Sequence, residues 1–361
     1  MILLAGSHAG CGPGESPNST PNPSPGPSPV PNPEPPPSLP QPFRQLAARC
    51  GVKVGPAVAY SPLVGEPVYG DTLRREFNIM TPENDMKWSF IHPQRTQYAF
   101  ERPDAIVAFA ASNDMVVHGH TLVWHNQNPS WLTSSTFSRD EMIDILRDHI
   151  STVVGRFAGR YLTAWDVVNE GVNDDGTLRR TVWLDRIGTD YMDLAFRFAS
   201  QADPTARLIY NDYGNETINA KSDGIYALLS AMRSRGVPVH GVGLQMHLPM
   251  SGIDVQSVTQ NMQRFAALGL EIYISEMDVR VPVPATASVL AGQADVYRGV
   301  LNACLAQPAC KAFQTWGFTD AYSWIPGAYP GFGAALIFDE RYQPKPAYDA
   351  LEVGMSRCVP R

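Results

Sequence analysis

Residues 162–170 read LTAWDVVNE and residues 271–278 read EIYISEMD. Each starts as a short apolar run and stops abruptly in carboxylates and amides. A strand covered on both faces reads as a nearly unbroken apolar run, so a polar end marks where it leaves the core. Glu170 and Glu276 sit at those ends, 276 − 170 = 106 residues apart. At about 35–40 residues per strand–helix unit, that interval is three units. The spacing therefore predicts two glutamates at one mouth of a barrel, on its fourth and seventh strands.

Working outward, the same pattern recurs. Short apolar runs lie at Val52–Ala59, Phe77–Met80, Met115–Val123, Leu162–Val168, Arg207–Tyr210, Gly241–Leu244, Glu271–Ile274 and Lys311–Thr315. Longer amphipathic stretches separate them. One, residues 138–157, opens with Ser138 and Glu141 at capping-box spacing and carries Met142, Ile145, Leu146, His149 and Val153 on one stripe. Strand–helix alternation repeated eight times predicts a parallel sheet closed on itself, a single (β/α)8 TIM barrel over residues 43–361.

The 361-residue chain carries 28 Lys+Arg against 35 Asp+Glu, a formal charge of −7, with 44% hydrophobic residues. That supplies a large core and no basic face for nucleic acid or an anionic membrane. No apolar run reaches the roughly 18 residues a membrane-spanning helix needs. Residues 12–42 hold 14 prolines in 31 positions and read as a disordered Pro/Ser-rich linker, extended and semi-rigid. Residues 1–11, MILLAGSHAGC, resemble the end of a lipoprotein signal, with Cys11 where a lipid anchor would attach; a truncated export signal and an appended remnant are the alternatives. Cys304 and Cys310 are near enough to close a small loop. Cys50 and Cys358 sit at the two ends of the barrel, where a clasp is one pairing among several. With the linker, these cysteines favour a secreted or envelope-attached protein. No CxxC or paired Cys/His spacing points to zinc, and neither metal nor cofactor is expected; a monomer is the expected state.

Functional groups of such barrels collect at the C-terminal ends of the strands. Here those ends carry Glu83, Asn84 and Lys87; His118, His120 and Trp124; Asn169 and Glu170; Asn211 and Tyr213; Gln245 and His247; Glu276 and Asp278; and Trp316, with Trp324 beyond. Two carboxyls facing each other in a groove are the minimum equipment for cleaving a glycosidic bond. One must carry a proton and the other must be bare, so their surroundings must differ. His247 is placed to hold Glu276. Asp278, two residues further along an extended strand, would share its face and could orient that histidine.

The strings TPENDMKW, HGHTLVWH, WDVVNE, LQMHL, ISEMDV and WGFTDAYSW resemble, in order over residues 43–355, the signature segments of glycoside hydrolase family 10, the retaining endo-β-1,4-xylanases. The resemblance implies xylan and xylo-oligosaccharides as substrates, Glu170 as acid/base and Glu276 as nucleophile. It further implies that Glu83, Asn84, Lys87, His120, Trp124, Asn169, Gln245, His247, Trp316 and Trp324 line the sugar subsites. His118 stands where the family commonly has Arg, and Met246 where Ser is common. A retaining mechanism implies carboxyls about 5–5.5 Å apart.

Two other classes compete. His118 and His120 share a strand face and could begin the site of a metal-dependent barrel hydrolase, although further ligands are wanting; the plainer reading of His118 is a hydrogen-bonded residue deep in the barrel. A non-catalytic polysaccharide-binding relative would be expected to lack one carboxylate, and both are present. Trp131, Trp165 and Trp183 read as packing, and Tyr213 as packing or a sugar platform.

Overall fold

Apolar runs rich in Val, Ile and Leu become eight strands: β1 (Lys53–Val58), β2 (Ile79–Pro82), β3 (Val116–Val123), β4 (Leu162–Asn169), β5 (Arg207–Asp212), β6 (Gly241–Leu244), β7 (Glu271–Pro282) and β8 (Cys310–Thr315). The computed structural model describes residues 41–359. Residues 1–11 and nearly all of the proline-rich stretch 12–42 therefore lie outside the described residues. The strands pair in parallel in chain order, and β8 returns to β1 with Ala312 opposite Lys53, closing the (β/α)8 barrel.

Two details differ from the expectation. The second strand begins at Ile79 because Phe77 serves as the C-cap of the helix Pro67–Glu76. The seventh runs on to Pro282, because its far half pairs with two short strands, His247–Pro249 and Phe332–Gly333. The helix Arg139–Phe157 forms as patterned. Ser138 accepts from the Glu141 amide and the Glu141 carboxylate accepts from the Ser138 amide at 2.8 Å, which satisfies donors otherwise stranded at a helix start.

Most buried apolar side chains form one core. Ala164, Ile209, Tyr273 and Ala312, from four different strands, form a separate small cluster, the arrangement expected of side chains enclosed by the sheet. Packing around Trp165 leaves no room for a side chain at residue 119: a Cβ on Gly119 would fall 2.3 Å from the indole. Among the described residues there are two disulfides. Cys50–Cys358 joins the ends of the domain, and Cys304–Cys310 links the helix Ala287–Ala306 to β8. Among the described residues no helix is long and apolar enough to cross a membrane.

Register shifts aim the strand ends. In β4 the pairing with β5 slips between Asp166 and Val168. Val168 joins the core while Asn169 makes hydrogen bonds at the barrel mouth. In β7 the pairing with β8 slips between Ile274 and Met277, so Ser275 and the adjacent Glu276 both hydrogen-bond Asn211 on β5. A one-residue bulge breaks the strict alternation of faces and re-aims whatever follows it.

Candidate active site

Glu170, Glu276 and the ten residues expected to line the sugar subsites all border one cleft of about 610 Å³ at the C-terminal ends of the strands, whereas His118, Asn211 and Asp278 do not line it. Tyr213, left open between packing and a sugar platform, also lines it, and the structure adds Glu216, Arg280 and Tyr329, together with Asn126 and Gln127 from the segment after β3. Those from loops had no strand-end signature. Arg280 did have one, since it lies two residues past Asp278 on the same strand.

Glu276 is buried, and each of its oxygens has a donor. Oε1 accepts from the Asn211 amide at 2.6 Å, and Oε2 from His247 Nε2 at 3.2 Å. The Nδ1 of His247 faces Asp278 Oδ2 at 2.8 Å, which also accepts from Trp324 Nε1 at 2.8 Å. Both ring nitrogens of His247 thus face carboxylates, which ionised can only accept, so the ring is an imidazolium. Burial opposes that charge, but Asp278 and Glu276 outweigh it and hold His247 well above the usual histidine range. Burial likewise opposes ionisation of Glu276, yet the His247 hydrogen bond and the charges of His120 and His247 keep its carboxyl below the usual range. Glu276 is a bare carboxylate.

Glu170 follows β4 with φ at +55°, in the left-handed region that a non-glycine residue occupies only when its surroundings fix it. Here its amide donates to the Asn211 carbonyl at 2.9 Å, and its own carbonyl accepts from Arg179 Nε at 2.9 Å. The side chain turns into the cleft, where Oε2 accepts from Trp124 Nε1 at 2.9 Å and Oε1 from Gln245 Nε2 at 3.2 Å. Asn169 joins the two carboxyls: its Nδ2 donates to Glu170 at 3.3 Å, and its Oδ1 accepts from Asn211, which also donates to Glu276. One short bridge of amides therefore holds both glutamates.

Beneath them Asp166, a lone charge inside an apolar run, binds both histidines of β3. Oδ1 accepts from His118 Nε2 and Oδ2 from His120 Nδ1, each at 2.9 Å. The other nitrogen of His118 faces Gln314 Oε1 at 3.2 Å, and Gln314 Nε2 donates to Thr81 Oγ1 at 2.6 Å, which fixes the orientation of its amide. His118 is therefore a buried cation. Burial works against its charge, but Asp166 overcomes this and raises its pKa; burial also works against Asp166, whose pKa is nevertheless pulled down to about 2 by the two histidines. His120, Asp166 and Glu276 bring ligand atoms within 4.8 Å of one another, the spacing of a cation site. A cation there would have to displace hydrogen bonds already made to both oxygens of Asp166 and of Glu276.

The walls are amphipathic. Trp124 and Trp316 flank the buried Lys87 ammonium, 5.0 and 5.5 Å from their ring centres. Burial lowers the Lys87 pKa, while Glu276, Glu83 and Glu170 counteract that effect. Burial raises the Glu83 carboxyl pKa, and Lys87 opposes the rise. Flat apolar faces beside convergent polar groups suit a pyranose ring, which presents C–H bonds on its faces and hydroxyls at its edge. Trp165 and Trp183 are fully buried, Trp131 half-buried, and none of the three lines this cleft.

Comparison with known proteins agrees with this geometry. The family model described as glycosyl hydrolase family 10 matches residues 43–353. Endo-1,4-beta-xylanase B of Thermotoga neapolitana is 50% identical over 313 residues, 86% of this chain and 90% of that protein. An endo-1,4-beta-xylanase of Agaricus bisporus is 38% identical, over 86% of this chain and 94% of its own. Among solved structures, native xylanase 10B from Thermotoga maritima superposes with a TM-score of 0.86 at 48% identity, covering 88% of this chain and 98% of that one. Xylanase 10B from Thermotoga petrophila, solved in complex with xylobiose, gives 0.86 at 47%, covering 88% and 97%. A match that runs nearly the whole length of the barrel leaves one conclusion: the chain belongs to glycosyl hydrolase family 10.

Proposed function

We infer that the protein is an endo-1,4-β-xylanase that hydrolyses internal β-1,4-xylosidic bonds of xylan with retention of anomeric configuration. The observation that carries this is the amide bridge through Asn169 and Asn211, which holds two differently dressed glutamates against one cleft.

Glu276 attacks the anomeric carbon as the bond to the departing sugar breaks, and Glu170 gives its proton to the leaving oxygen. The product is a glycosyl ester on Glu276. A water then attacks the same carbon from the side the leaving group vacated. Glu170, now ionised, takes the proton from that water, and the ester opens. Two displacements from opposite faces restore the original configuration. Asn211 and His247 fix both oxygens of Glu276, so attack needs little reorganisation.

The proposal extends to export, supported by two disulfides of a kind that persist in oxidising compartments. The xylobiose bound by the Thermotoga petrophila enzyme supports xylo-oligosaccharide binding here. Proton NMR of fresh xylo-oligosaccharide hydrolysates tests the mechanism: β-anomers should appear first and mutarotate later. Initial α-product would overturn it. Chelator should leave activity unchanged, whereas a metal-dependent hydrolase would lose it.

A further inference from the structure

After the slip in β7 the strand alternates regularly. Met277 and Val279 enter the core, while Glu276, Asp278 and Arg280 turn the other way, the first and last into the cleft. Arg280 is the one arginine among the described residues lining that cleft. Its guanidinium carbon lies 4.4 Å from the centre of the Tyr329 ring. Tyr329 in turn meets the edge of Trp324 with centroids 5.8 Å apart. Among the described residues its only hydrogen bond is a long one, 3.5 Å, from Nη1 of Arg280 to the His247 carbonyl. No ion pair joins it to a carboxylate among the described residues, whereas the other cations of the cleft have carboxylates beside them: the His247 imidazolium meets Glu276 and Asp278, and Glu276, Glu83 and Glu170 oppose the effect of burial on Lys87.

A half-buried guanidinium on an aromatic face, with most of its donors unspent, is a receptor for a planar anion, since its fork matches a carboxylate. A neutral pentose polymer offers only hydroxyls. Arg280 lies four steps of extended strand on from Glu276, about 13 Å along the chain, beyond the ring being cleaved. We propose that Arg280 and Tyr329 form a subsite for the carboxylate of a hexuronic acid branch carried by a xylose flanking the scissile bond. This rests on the xylanase reading above and assigns it a preferred substrate class, acidic branched xylan.

The test uses two branched xylo-oligosaccharides that differ only in the branch, one with its carboxylate intact and the other reduced to the primary alcohol. The wild-type protein should show a kcat/KM about tenfold higher for the carboxylate form, the discrimination expected of one charge-assisted pair. Arg280→Gln should bring that ratio to about one, Arg280→Lys should keep part of it, and raised salt should shrink it in the wild type. A wild-type ratio of one, or a ratio that Arg280→Gln leaves intact, overturns the proposal. Turnover of the unbranched chain reports separately on the xylanase reading. Its absence overturns both, whereas turnover with a ratio of one overturns only the carboxylate subsite.

Discussion

Asn211 donates its side-chain Nδ2 to Glu276 at 2.6 Å while its side-chain Oδ1 accepts from the Ser275 hydroxyl at 2.7 Å, so the amide is gripped at both ends. Gly243, on the neighbouring strand, makes room for it: a Cβ there would lie 2.0 Å from Asn211 Oδ1. Gly243→Ala should therefore push Asn211 off Glu276. The expected loss in kcat is about 10²-fold, typical of a displacement near 1 Å in a reacting group. KM should change little. Steady-state kinetics with a thermal melt, to check that the variant is folded, measure this.

Removing the attacking group is more severe. Glu276→Ala should lower xylan hydrolysis on the order of 10⁴-fold or more while oligosaccharide binding persists. Azide should restore turnover of an activated aryl glycoside, with product of inverted configuration. Substantial activity without azide would remove the nucleophile assignment.

Glu170→Ala should separate substrates by leaving group. Xylan needs a proton on the departing oxygen and should suffer far more than a dinitrophenyl glycoside, which does not. Equal losses on the two, read from kcat/KM, would count against the acid role.

The acid limb of kcat/KM follows ionisation of Glu276. Because that carboxyl titrates below its usual value of 4.5, activity should persist below this pH and fall only as the lowered pKa is crossed. His247→Asn removes the donor and its charge, so the acid limb should move to higher pH. A profile unchanged on that side would refute the coupling.

The Asp166–His118 pair bears on stability, with opposite signs at its two ends. The depressed carboxyl of Asp166 contributes stability above its unfolded value near 3.9, lost as pH falls from there through about 2. His118, raised in the folded state, contributes fully below about 6.5 and loses that contribution as pH rises through its folded pKa. His118→Asn should flatten the alkaline side of a plot of melting temperature against pH, and a plot of unchanged shape would contradict the assignment.

The two glutamates were legible because each closes an apolar run, and a charge there has no packing purpose. The helix Arg139–Phe157 was legible from its capping box. The bulges in β4 and β7 were not: a one-residue slip leaves composition unchanged and depends on partners far away in the chain. Asp166 was passed over for a related reason. It lies within a run whose apolar character concealed that its side chain faces the barrel interior, where two histidines meet it. Tyr329 and Glu216 come from loops, which carry no periodicity to read.

The Cys50–Cys358 bond has a mechanical consequence. It ties the turn after the helix Phe43–Arg49 to the residue two beyond the helix Pro346–Ser356, across 308 positions of chain. A pull applied before residue 50 or after residue 358 is then carried by a covalent link and bypasses the strands. Fraying that starts at either tip stops at the sulfur atoms before it can peel the first strand from the eighth.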